Sequence, residues 1–251
     1  MGTTVSLIKA IEDDFKQRHP HYHKSRREAL TSLAGVMLKV RNVNLMTLAA
    51  ALPRTIGTPH DRYQYIERQL KNEKIDADTT MKPYALGAIK RFAGQGQKIL
   101  LIMNQSPAND FNEVLMLAVC GLQRVLPVAW RVSARQDKAG VAAQKELLDS
   151  VKAWLPEESA VTLATDTSLA TAGLIDWCQK AGWEHHLHLD GAESVTEEAA
   201  LCFSGGVRWL FTGFESEGFG LMKSHIQKPD RLSKLILILS LALYWEAHNS
   251  P

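Results

Sequence analysis

The rhythm of apolar and polar positions changes once along this chain, near residue 98. Before that point apolar residues recur at intervals close to 3.6, the mark of helices with one buried face. "VSLIKAIEDDF" (5–15), "REALTSLAGVMLKV" (27–40), "NLMTLAAAL" (44–52) and "RYQYIERQLKNEKID" (62–76) predict four short helices. "TIGTPHDR" (55–62) reads as loop, and residues 77–97, ending in "AGQGQ", read as a connector. After Lys98 come short continuous apolar runs, the pattern of strands covered on both faces. "ILLIM" (99–103), "EVLMLAVCG" (113–121) and "QRVLPVAWRV" (123–132) predict three strands, the last two joined tightly at Gly121-Leu122. A helix (136–155), a strand "AVTLATD" (160–166), a helix (168–182) and a short alternating strand "WEHHLHL" (183–189) follow. A last helix covers about 230–248; its run "LILILSLALYW" is too short to cross a bilayer and predicts a buried helix.

Three strands, helix, strand, helix, strand, helix is the element order of the ribonuclease H-like fold. The expected class is therefore α/β, a mixed sheet flanked by helices, preceded by a small helical domain. The expected boundaries are 1–97 for the helical domain and its connector, and 98–251 for a shortened ribonuclease H-like domain. One position stands out. "KILLIMNQSPAND" (98–110) brings a buried strand to an end on Asn104 and a polar turn, where an enzyme of this class would carry a carboxylate.

The stretch "NQSPANDFNEVLMLAVCGLQRVLPVAWRV" resembles the first catalytic block of the DDE transposases of bacterial insertion sequences. "LATDTSLATAGLIDWCQKAGWEHHLHLDG" resembles their second block, and "RWLFTGFESEGFGLMKSHIQKPDRLSKLILILSLALYW" their third block and closing helix. The front, with "ALPRTIGTPHDRYQYIERQL", is similar to their DNA-binding region, so the resemblance spans roughly residues 27–248. It implies two-metal phosphoryl transfer, with two Asp and a Glu holding two Mg²⁺ ions roughly 4 Å apart. Residue by residue the pattern is incomplete. Asn104 stands at the first Asp, Asp166 matches the second, and the third acid, the Glu, is absent, with Thr212 at its place when no gap is drawn. Arg208-Trp209 and Gly218-Phe219 match, but the spacing between them is short. Gly205 replaces a Tyr, Thr167 an Arg, Glu215 a Lys, and Glu217 falls where a basic residue is common. A lone carboxylate at Asp166 holds Mg²⁺ only weakly, and each lost or reversed cation weakens contact with phosphates. Asp110 and Glu113 are the nearest substitutes, and both follow the strand tip.

Charge supports a nucleic-acid partner for one half only. Residues 1–98 carry 17 Lys+Arg against 9 Asp+Glu, and residues 99–251 carry 12 against 18. "KQRHPHYHKSRRE" (16–28) gathers Lys16, Arg18, Lys24, Arg26 and Arg27 into a candidate phosphate-contacting arm, to which the resemblance adds Arg208. His19, His21 and His23 alternate there and could instead bind a transition metal; His186 and His188 share a face of the strand at 183–189. Trp130, Trp177, Trp183, Trp209 and Trp245 sit in apolar elements and are expected to pack in the core. Cys120, Cys178 and Cys202 lack CxxC spacing and are expected to be reduced thiols. With no signal-peptide-like start, a cytoplasmic protein without membrane contact is expected. The expected function is binding of double-stranded DNA at element ends without catalysis, as a homodimer or in inhibitory pairing with an intact transposase. Two alternatives are an active, Mg²⁺-dependent DDE transposase and a relic or redesigned fold with no selected function.

Overall fold

A computed structural model describes residues 3–53, 57–93, 98–121, 124–135, 140–165, 168–186 and 219–249. The chain divides into two compact units, Met1–Pro83 with Phe214–Pro251, and Tyr84–Gly213.

The first unit is helical. Thr3 caps α1 (Thr4–Arg18), His23 caps α2 (Lys24–Val40) and Asn44 caps α3 (Leu45–Ala51), each accepting a backbone N–H of the first turn. The helix α4 (Pro59–Leu70) begins earlier than its apolar periodicity indicates. Thr58 and Asp61 form a reciprocal capping box with Pro59 at the first helical position, so half of the predicted loop is a helix start. The helix also ends earlier, at Leu70 rather than near 76. Residues 77–93, read as a connector, form a 17-residue helix, α5 (Ala77–Ala93). The Asp76 carboxylate accepts the Thr79 N–H at 2.7 Å to start it, and Met81, Tyr84, Ala85, Ala88 and Ile89 form its buried stripe. Pro83 and Gly87 lower its propensity, and burial of that stripe overrides them.

In this unit α1 lies on α2, and Gly35 sets the approach. A Cβ at Gly35 would stand 2.6 Å from Ile8 Cγ1, so only a bare backbone fits there. The final helix, α8 (Pro229–Asn249), is apolar on nearly every side and packs on α2 and α4. The sequence grouped it with the sheet; its contacts group it with the front helices. Arg41, in the left-handed conformation (φ 51°) after α2, donates to both carboxylate oxygens of Glu246 on α8.

The second unit holds a five-stranded sheet in the order β3-β2-β1-β4-β5. The strands are β1 (Ile99–Pro107), β2 (Asn112–Gly121), β3 (Arg124–Ala134), β4 (Val161–Thr165) and β5 (Glu184–His186). The first three pair antiparallel, while β4 runs parallel to β1 and β5 parallel to β4. This mixed sheet, flanked by α6 (Val141–Lys152) and α7 (Ala172–Ala181), is the ribonuclease H-like arrangement. Thr171 caps α7, and Gly182 at φ 70° ends it and turns the chain into β5. The β1 strand does not stop at Asn104 but continues to Pro107, with Gln105 opposite Leu115 and Ser106 opposite Val114. The turn beyond is built by Asn109, whose side-chain oxygen accepts the N–H groups of Phe111 and Asn112, both at 2.9 Å.

The expectation of three reduced thiols does not hold. Cys120, at the end of β2, is in a disulfide, while Cys178 is free, buried and pushed up to about 11 by desolvation. Sequence spacing does not reveal a pairing made through tertiary proximity. No described helix is long and apolar enough to cross a membrane.

Candidate functional site

The register of the sheet fixes the geometry of the β1 tip. The last described pair between β1 and β4 is Met103 with Thr165. The next residues in the chain are Asn104, which continues β1, and Asp166, which follows the end of β4. Asp166 itself lies outside the described residues, as do Thr167, His188, Gly205, Arg208, Trp209, Thr212, Glu215 and Glu217.

Asn104 is half-buried and stands opposite Met116, which stands opposite Trp130 on β3. Because successive side chains point to opposite faces, Gln105, Leu115 and Arg131 line the other side. That other side faces α6, where Arg131 donates to Glu146 (2.9 Å) and Ser150 (3.0 Å). Glu113 belongs to the same face, since its Oε2 accepts the Gln105 amide N–H at 2.5 Å. Glu113 therefore points away from Asn104 and is already engaged, and Asp110 is exposed in the turn. Neither supplies a carboxylate beside Asn104. A neutral amide carries no charge and bridges two cations poorly. Among the described residues no three His, Cys, Asp or Glu side chains converge. The described side of the β1 tip does not fit a two-metal centre.

The candidate arm is largely occupied by its own helices. Arg18 donates to both oxygens of Asp14 (3.1 Å each), Arg27 to Glu12 (3.1 Å), and Lys24 lies 3.7 Å from Glu28. Arg26 donates to the Lys74 carbonyl at 2.5 Å and stacks over Tyr22 at 5.2 Å. Lys16 remains exposed. The three alternating histidines are split between structural tasks. His19 bonds the Thr80 carbonyl at 2.9 Å, His23 caps α2 through Ser25, and His21 is exposed. Desolvation holds the His19 imidazole below its usual range, against the opposing effect of its hydrogen bond to the Thr80 carbonyl. No metal site forms among them in the described residues.

Trp130 and Trp183 are buried, as expected. Trp177 is half-buried, donates to Asp149 at 2.8 Å and meets Trp183 edge-on at 5.1 Å; Trp245 is half-buried as well. On β5, Glu184 takes Lys98 at 2.5 Å, and His185 and His186 are half-buried. A second basic group, Lys223, His225, Lys228 and Arg231, precedes and opens α8. The sequence reading passes over it because it lies in an acidic half and inside a block assigned to catalysis. Its spacing within "KSHIQKPDR" was the available signal.

No protein-family model matches the chain, and no curated protein matches it. Among solved structures, similar chains include the catalytic domain of Mos1 mariner transposase, at 14% identity and TM-score 0.31, covering 70% of this chain and 92% of that one. The Mos1 strand transfer complex is similar at 14% identity and TM-score 0.31, over 86% of this chain and 76% of that one. Likeness at this distance assigns neither family nor activity; the fold class rests on the strand order and register.

Proposed function

We propose that this chain is a DNA-binding relative of bacterial insertion-sequence transposases that does not perform strand transfer. In this reading it occupies element ends in the cytoplasm, as a homodimer or paired with an intact transposase that it inhibits. One observation carries the reading. The ribonuclease H-like sheet keeps its order, 3-2-1-4-5, yet β1, one residue past its last pair with β4, presents the amide of Asn104 and no neighbouring carboxylate among the described residues. The cation excess of residues 1–98, 17 Lys+Arg against 9 Asp+Glu, supports a polyanionic partner. No step in this function uses a metal ion.

Fluorescence anisotropy with a labelled mixed-sequence duplex tests the binding half. Affinity should be measurable at about 50 mM salt and fall at least roughly tenfold by about 200 mM, as two neutralised phosphates require. No detectable binding to any duplex at the lowest salt would sink the reading.

A further inference from the structure

The helical unit contains a cleft of about 380 Å³, within the range of small-ligand sites. Met46 at the start of α3 and Tyr63 and Glu67 on α4 line it, together with Lys223, His225, Lys228 and Arg231.

The basic stretch is a held segment. The Val43 N–H donates to the Phe219 carbonyl at 2.9 Å, and Phe219 is fully buried with the Arg41 guanidinium 5.2 Å from its ring. Gly220 takes the left-handed conformation at φ 65°, which opens the short 3-10 turn Leu221–Lys223. Leu221 and Ser224 turn inward and are buried, which leaves Lys223 and His225 exposed. Burial of the inward residues thus decides the outward ones.

Among the described residues the charge in this cleft is only partly compensated, unlike that of the arm at 16–27. The carboxylate among its described lining residues is Glu67, which already serves Lys71 at 3.2 Å and Arg231 at 3.9 Å. Lys223, His225 and Lys228 have no ion-pair partner among the described residues. Like charges gathered on a concave surface raise the local concentration of anions. The lining also offers the half-buried Tyr63 ring and Met46, which is 51% exposed although apolar. Cations and an aromatic ring lining one cleft suit a phosphate joined to a flat, stackable group.

We infer that this cleft binds one nucleotide of an unpaired DNA strand, its phosphate among Lys223, Lys228 and Arg231 and its base against Tyr63. The inference rests on the DNA-binding reading and specifies its contact surface. A cleft of this volume has room for a single nucleotide.

The test uses the full chain, a labelled oligothymidylate, a duplex of equal length, dTMP and inorganic phosphate. The variants are Lys223→Gln/Lys228→Gln, Tyr63→Leu and, as control, Lys152→Gln/Lys180→Gln at exposed positions of the sheet unit, each checked by circular dichroism. The intact chain should prefer the single strand to the duplex. The double variant of the cleft should weaken single-strand binding tenfold or more and lower its salt slope by about 0.7, for the one phosphate the cleft neutralises. Tyr63→Leu should weaken it roughly five- to hundredfold, the effect of one lost stacked base. The control should change little. If the cleft variants bind the single strand as the intact chain does, the inference fails while the DNA-binding reading stands. If the intact chain binds neither strand form, both fail. Binding of dTMP or phosphate without binding of the oligonucleotide would make this a small-anion site and overturn the assignment to DNA.

Discussion

A chain ending at residue 97 should show no cooperative thermal transition by circular dichroism, although the sequence marks 1–97 as a domain. Its core is completed from the other end of the chain. The helix α8 packs on α2 and α4, and eight of its Leu and Ile residues are buried, along with Tyr244. At about 1.5–3 kcal/mol each, those side chains represent roughly 10 kcal/mol or more. That is comparable with the whole stability of a typical domain, about 5–15 kcal/mol. Without α8, apolar positions on α2 such as Leu30, Leu33 and Met37, now at most 1% exposed, lose much of their cover. Joining residues 1–93 to 219–251 through a flexible Gly/Ser linker should restore a cooperative melt. Cooperative melting of the short fragment alone would contradict this packing.

Phe15→Ala should cost about 3–5 kcal/mol, read as a lower denaturant midpoint at unchanged slope. Phe15 is fully buried and its ring touches two others, His19 at 4.6 Å and Tyr22 at 5.1 Å. Behind it lies a polar knot on buried Thr80. His19 meets the Thr80 carbonyl at 2.9 Å, Tyr22 its hydroxyl at 3.3 Å, and that hydroxyl donates to the Asp76 carbonyl at 2.6 Å. Truncation leaves a cavity beside these bonds and admits water to the imidazole. The His19 pKa, held down chiefly by desolvation and further by Arg18, should then climb back toward 6.5, visible by NMR titration. The sign for stability follows. In the intact protein the unfolded state takes the proton first, so stability falls as pH drops through 6.5. The variant should lose part of that dependence. A loss below about 1 kcal/mol would show that the site collapses to fill the space.

The sheet was more legible than the site because burial on both faces writes itself as apolar runs. The cores of β1, β2, β3 and β4 lie where "ILLIM", "EVLMLAVCG", "QRVLPVAWRV" and "AVTLATD" put them. The polar end of β1 escaped notice because backbone pairing with β2, not side-chain burial, makes residues 104–107 a strand. The α5 helix was hidden by Pro83 and Gly87, and the start of α4 by a capping box that looks like a turn. An all-apolar helix such as α8 announces that it is buried without naming its partner. The cations tell a similar story. Their number is plain in the sequence, but Glu12, fifteen residues before Arg27, is matched to it only by the packing of α1 on α2. Asn104 is plain in the sequence; that Glu113 lies on the opposite face from it follows only from the register.

The central claim is the proposal that this ribonuclease H-like domain performs no strand transfer. Its most direct test is a nicking assay on supercoiled plasmid with Mg²⁺ and then Mn²⁺, comparing the full chain with Asp166→Ala. The account predicts no nicked circle above the protein-free control from either protein. Metal-dependent nicking by the full chain that disappears in Asp166→Ala would contradict it.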